Sequence, residues 1–177
     1  MAGMLRLPRT RTALSAGVLL ILLGAWGGLV PFVGPYFHYA YTPDRAWAYT
    51  SGRLWLEIVP ALGAIAGGII VLISGFRSVA LLGAFLAGIS GAWFAVGSVV
   101  GPAWSGTVLA AGAPVGAAVT RAVEQIGFFT GLGVAIVCVA VLALGRFSVA
   151  GPWDAKAPAE PAPNTAEEPA DSGAAAR

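Results

Sequence analysis

Charge is what this sequence has least of. Of its 177 residues only 10% are Asp, Glu, Lys or Arg, against about a quarter in an ordinary soluble domain. So few charges cannot cover a water-facing surface, which excludes a soluble globular fold. The net charge of +2 is spread thinly, with no basic patch, which excludes a nucleic-acid binder. One cysteine excludes a disulfide scaffold. Cys138, without a partner, reads as a small packing residue. Histidine is as scarce: His38 stands alone, and metal sites need several convergent ligands. No Ser/His/Asp arrangement, phosphate loop or C-x-x-C pair is present. The chain is therefore expected to be no enzyme and to carry no metal and no cofactor.

Apolar residues are what it has in abundance, 58% of the chain. A helix needs about 20 of them to cross a bilayer core of roughly 30 Å. Four stretches qualify: 12–34, 54–74, 79–100 and 126–145. Within these limits the one Asp, Glu, Lys or Arg is Glu57. The expected fold is all-α, a four-transmembrane-helix bundle. Residues 1–11 form a basic leader whose Arg6, Arg9 and Arg11 could open a signal peptide. The apolar run continues to Val33 and the nearest A-x-A triplet is Ala46-Trp47-Ala48, so the first span reads as retained.

Basic residues set orientation. Arg6, Arg9, Arg11, Arg77, Arg146, Lys156 and Arg177 fall on one side, and Arg45, Arg53 and Arg121 on the other. The larger group marks the cytoplasm, so both termini are expected there. Nine arginines to one lysine, with much Ala, Gly and Pro, suggest a GC-rich bacterium and hence its plasma membrane. The outward loops, 35–53 and 101–125, carry aromatic residues suited to the headgroup level, among them Tyr36, Phe37, Tyr39, Tyr41, Trp47 and Trp104. Thr42-Pro43-Asp44 is a helix-start signal and predicts a short helix over 43–50, with Thr50 and Ser51 able to cap the second span. Pro114 could open a helix running into the fourth span, and residues 107–120 could instead be re-entrant. The segment 151–177, rich in Ala and Pro with five acids against two bases, is expected to be a disordered acidic cytoplasmic tail.

The chain repeats itself. Gly24-Ala25-Trp26 matches Gly91-Ala92-Trp93, and Val33-Gly34-Pro35 matches Val100-Gly101-Pro102, both 67 residues apart. The same offset carries Glu57 onto Glu124. At an offset of 70, Gly75-Phe76-Arg77-Ser78-Val79-Ala80 faces Gly145-Arg146-Phe147-Ser148-Val149-Ala150. These matches divide the chain into two tandem helical hairpins, 12–78 and 79–150, a parallel repeat. A two-helix unit with a G-x-W turn followed by a proline near its outer end resembles the SPW-repeat membrane proteins. Those are small bacterial proteins of two-span repeats with no assigned activity, and the resemblance implies that architecture alone. The Ser-Pro-Trp triplet occurs nowhere here. Leu29-Val30-Pro31-Phe32 and Gly101-Pro102-Ala103-Trp104 come nearest to it.

Small residues let helices approach closely in lipid. Gly24/Gly28, Gly63/Gly67, Ala84/Gly88, Gly91/Ala95 and Gly127/Gly131 are spaced four apart in the four spans, predicting a compact bundle that leaves a homo-oligomer open. Trp26 and Trp93 read as packing or lipid-facing indoles, and Pro31 and Pro60 as bends. The candidates for chemistry are Arg53, Glu57, Arg121 and Glu124. Arg53 and Glu57 are four apart and Arg121 and Glu124 three apart, so each pair shares a helix face. Each pair opens a returning helix within a turn or two of the outer surface, where long side chains reach water. One reading is a capped interfacial ion pair in each repeat. The other is a symmetric outward-facing site for a cation or a zwitterionic headgroup. The expected role is noncatalytic, as a structural or accessory membrane protein that packs against lipid, itself or a larger complex. The alternative is a small-solute or ion transporter acting as an oligomer through the Arg/Glu face.

Overall fold

The structure, a computed structural model, describes residues 11–37, 45–105 and 116–148. The described elements are helical throughout. Helix α1 spans Arg11–Val33 and ends in a 3-10 turn, Gly34–Phe37. Helix α2 spans Ser51–Ile73, α3 spans Arg77–Ser105, and α4 spans Ala118–Ser148. Each is long and apolar enough to cross a membrane. The 23 residues of α2 rise about 34 Å, close to the thickness of a hydrocarbon core.

The chain runs up and down through the four helices, each packed on its neighbour in sequence, and α1 closes the ring against α4 more loosely. Polarity runs opposite to that of a water-soluble bundle. Leu62, Leu82, Phe85 and Leu142 are more than half exposed on the outside, whereas Ala64, Ala84, Ala87 and Ala140 are fully buried. Bulk lies outward and small residues inward, as lipid-embedded packing requires. Larger side chains, Leu20, Phe94, Phe128, Phe129 and Ile136, are fully buried in the centre.

Glycine sets the closest approaches. A Cβ at Gly67 would stand 2.5 Å from the Gly83 carbonyl oxygen on α3, and one at Gly133 would stand 2.5 Å from the Ala95 nitrogen on α3. The packing of α1 on α2 recurs in α3 on α4. Gly24 meets Ala61 and Ala64, and Gly91 meets Gly133 and Ile136; likewise Gly68 meets Ile21 while Gly88 meets Ala140. In each case the outgoing residues differ by 67 and the returning residues by 72. A π turn, Leu54–Ile58, interrupts α2, and another, Ile126–Thr130, interrupts α4, again 72 apart.

Four sequence expectations change. The fourth helix begins at Ala118, eight residues before the hydropathy boundary at 126; this fits the reading of a helix opened near Pro114 and running into the fourth span, although Pro114 itself lies outside the described residues. Its first two turns, Ala118–Gln125, hold Thr120, Arg121, Glu124 and Gln125, which hydropathy reads as loop. The expected helix over 43–50 is absent from its described part. Trp47 lies in the left-handed region (φ 58°), and its N–H donates to the Phe32 carbonyl, so tertiary bonds hold this stretch. Gly127 and Gly131 do not serve as a helix contact: Gly127 is exposed and Gly131 crowds the Ile126 carbonyl of its own π turn. Gly133, which the spacing pattern missed, takes that role. Cys138 is exposed on the outside of the bundle rather than packed within it.

At the opposite end, Arg77, the first residue of α3, donates from Nε to the Phe147 carbonyl and from Nη2 to the Ser148 carbonyl. A guanidinium on the last carbonyls of a helix also suits its dipole. The two segments that resemble one another at an offset of 70 thus meet in space.

Candidate functional site

The site lies where α2 enters the bundle. Thr50 is the N-cap, its hydroxyl oxygen accepting the Arg53 N–H at 3.2 Å, as the sequence anticipated. This fixes the first turn and turns the Arg53 side chain inward, where it is fully buried.

Proline explains what the guanidinium finds there. In a regular helix the Pro31 carbonyl would accept from residue 35, but residue 35 is also proline and has no N–H. A buried carbonyl without a donor costs about 1–3 kcal/mol. Arg53 Nη1 donates to that oxygen at 3.0 Å and to the Ala48 carbonyl at 2.9 Å. One nitrogen therefore ties α2 to the end of α1 and to the connecting loop. The guanidinium carbon also lies 5.9 Å from the centre of the Phe32 ring, which packs on Trp47.

Glu57 sits one turn further into the bundle, within the π turn, and is also fully buried. Its Oε2 is 4.0 Å from Arg53 Nε, close enough for ionic attraction and too far for a hydrogen bond. Neither carboxylate oxygen of Glu57, nor Nε or Nη2 of Arg53, has a hydrogen-bond partner among the described residues. The pair is joined by charge while much of its hydrogen-bonding capacity stays open.

Another proline accounts for the π turn. The Leu56 carbonyl would look to residue 60 for its donor, and Pro60 has none. The ladder shifts, and the Val59 N–H reaches back to Leu54. That leaves the Trp55 carbonyl without a regular donor on its own helix, and Trp93 Nε1 on α3 donates to it at 2.9 Å. Trp93 therefore acts as more than a packing indole, whereas Trp26 is 52% exposed. The offset of 67 suggested equivalent roles that the structure separates.

The four candidate residues divide in the same way. Arg53, Glu57 and Glu124 are buried, and Arg121 is exposed. The expectation that all four side chains reach water holds for Arg121 alone. The first turn of α2 is covered by Ala48 and by α1, so the Arg53 side chain turns inward; in the first turns of α4, among the described residues, residues 118–123 are exposed and Glu124 is buried. By helix packing, Glu57 corresponds to Phe129 and Arg53 to Gln125, so Glu57 and Glu124 are not equivalent positions. The missed participants are Phe32, Trp93 and the Pro31 carbonyl. The four-residue spacing of Pro31 and Pro35 was the available signal for an orphan acceptor. His38 and Asp44 lie outside the described residues. Among the described residues, no three His, Cys, Asp or Glu side chains come together to hold a metal ion. No known protein family, curated protein or solved structure matches the chain.

Proposed function

We propose that the chain is a multi-pass protein of a bacterial plasma membrane, with both termini in the cytoplasm, built from two tandem two-helix units. Its role in this reading is noncatalytic, that of a structural or accessory membrane protein. The placement of basic residues supports the orientation, and the helix contacts recurring at offsets of 67 and 72 support the tandem architecture. The SPW-repeat resemblance fits the same plan. The observation that carries the role is the packing: glycine and alanine bring successive helices to backbone contact, and Leu20, Phe94, Phe128, Phe129 and Ile136 fill the centre. Such a bundle suits holding a position in lipid or against a partner.

Extraction of tagged protein in mild detergent at native expression, followed by pull-down and mass determination of the particle, tests this. A stoichiometric partner is the expected result. A homo-oligomer with no partner would overturn the accessory role.

One observation favours a second reading, a small-solute or ion transporter acting as an oligomer. Three ionisable side chains, Arg53, Glu57 and Glu124, are buried at one end of the bundle. Buried charge within a membrane span is costly and tends to be kept for function.

A further inference from the structure

Among the described residues, the buried Arg53–Glu57 pair is the one polar centre in which both partners retain open hydrogen-bonding groups. Resting on the transporter reading and deepening it, we propose that this pair binds a small free zwitterion, its primary ammonium on Glu57 and its anionic end on Arg53 Nη2.

Charge accounting narrows the ligand. Arg53 and Glu57 cancel formally, so a bare cation or anion would leave a net buried charge. The open groups are two carboxylate oxygens, which only accept, and Arg53 Nε and Nη2, which only donate; Nε faces Glu57, so Nη2 is the donor left for a ligand's anion. The complement is a net-neutral molecule with donors at one end and acceptors at the other. A primary ammonium meets the first requirement, and a quaternary ammonium, lacking N–H, does not. Arg53 is held in place for this task, because Nη1 is fixed on the Pro31 and Ala48 carbonyls while Nη2 is left open.

Depth separates a free solute from a lipid. Glu57 lies four residues further along α2 than Arg53, about 6 Å nearer the bundle centre. The ligand's ammonium must therefore sit deeper than its anion. A phosphatidylethanolamine in either leaflet has the reverse order, with phosphate next to the acyl chains and ammonium towards water. A solute entering ammonium first meets the geometry. The loop over the site is held to α1 by the Trp47 N–H to Phe32 carbonyl bond and bridged through Arg53 to Ala48. Release of those contacts gives entry.

The test uses the full-length protein in nanodiscs and three net-neutral zwitterions of increasing charge separation: glycine, β-alanine and 4-aminobutyrate. At least one is expected to bind saturably, with affinity weakened about tenfold or more in E57Q. R121Q, at an exposed position, should bind as the parent chain does. Ethylammonium and acetate, each matching one end, should compete about tenfold more weakly than the bound zwitterion. Thermal melts of E57Q and the parent, each with and without ligand, separate lost binding from lost folding: a folded E57Q that melts cooperatively yet gains no stability from ligand supports the site. Binding of none of the three, or binding unchanged in E57Q, overturns the proposal and leaves ordered water as the partner. Retention of phosphatidylethanolamine without free-zwitterion binding overturns the assignment to a free solute. Counterflow in proteoliposomes then reads the transporter function separately. Binding without flux upholds the site and removes the transporter reading.

Discussion

The two helical hairpins share their helix contacts and part company where the returning helix enters the bundle. In α1–α2 the chain before the returning helix folds down onto α1, with Trp47 against Phe32, and Arg53 fastens it through Ala48. In α3–α4 the matching residues are helical, so Ala118–Gln125 continues α4 straight upward. The same depth holds Glu57 in one hairpin and Phe129 in the other. An apolar edge-to-face pair, Phe128 and Phe129 with ring centres 4.6 Å apart, stands where the first hairpin buries an ion pair. Five extra residues in the second connection thus leave the helix contacts intact and change the chemistry of one end. Shared packing keeps a fold; the entry turn is free to acquire a polar centre.

The largest expected effect comes from breaking that centre. Arg53→Ala leaves the Pro31 and Ala48 carbonyls and the Glu57 carboxylate without their partner, and should destabilise the protein by about 3–5 kcal/mol. The double change Arg53→Met with Glu57→Leu should recover the part due to the unpaired Glu57 charge but not the part due to the Pro31 and Ala48 carbonyls, which still lack a donor, while Gln125→Ala, the counterpart in the second hairpin, should have little effect. Unfolding in mixed detergent micelles measures all three. A loss in Gln125→Ala equal to that in Arg53→Ala would erase the distinction between the hairpins.

A smaller effect probes what the hairpins share. Gly67→Val and Gly133→Val each force a side chain into a backbone contact of 2.5 Å and should each cost about 1–3 kcal/mol or more. Gly75→Ala and Gly145→Ala, with nothing within 4 Å of an added Cβ, should be tolerated. The same unfolding assay decides whether the two helix interfaces cost alike.

The smallest effect sharpens the tryptophan pair. Trp93→Phe removes the donor to the Trp55 carbonyl and should cost about 1 kcal/mol, with faster amide exchange around the π turn Leu54–Ile58. Trp26→Phe, at a half-exposed position, should change neither stability nor exchange.

The long helices were legible because hydrocarbon solvation is a property of composition: a run of about 20 apolar residues crosses lipid as a helix whatever it packs against. The four spans, the Thr50 cap and the small-residue approaches of Gly24, Gly67 and Gly91 follow from local pattern. The beginning of α4 was legible only in part: Pro114 signalled a helix running into the fourth span, whereas hydropathy reads Thr120, Arg121, Glu124 and Gln125 as loop because they are polar.

Sequence by itself determined four apolar helices, their small-residue contacts, and the presence of Arg53, Glu57 and Glu124 near helix entries. Tertiary structure alone decided which charges are buried. Spacing puts Arg53 and Glu57 on one face but does not say which way that face turns. Pro31 near the end of α1 and Pro35 in the 3-10 turn after it leave an acceptor that another helix must fill, and helix packing aims Arg53 at it. An orphan carbonyl and its distant donor are far apart in the chain, so only the folded arrangement brings them together.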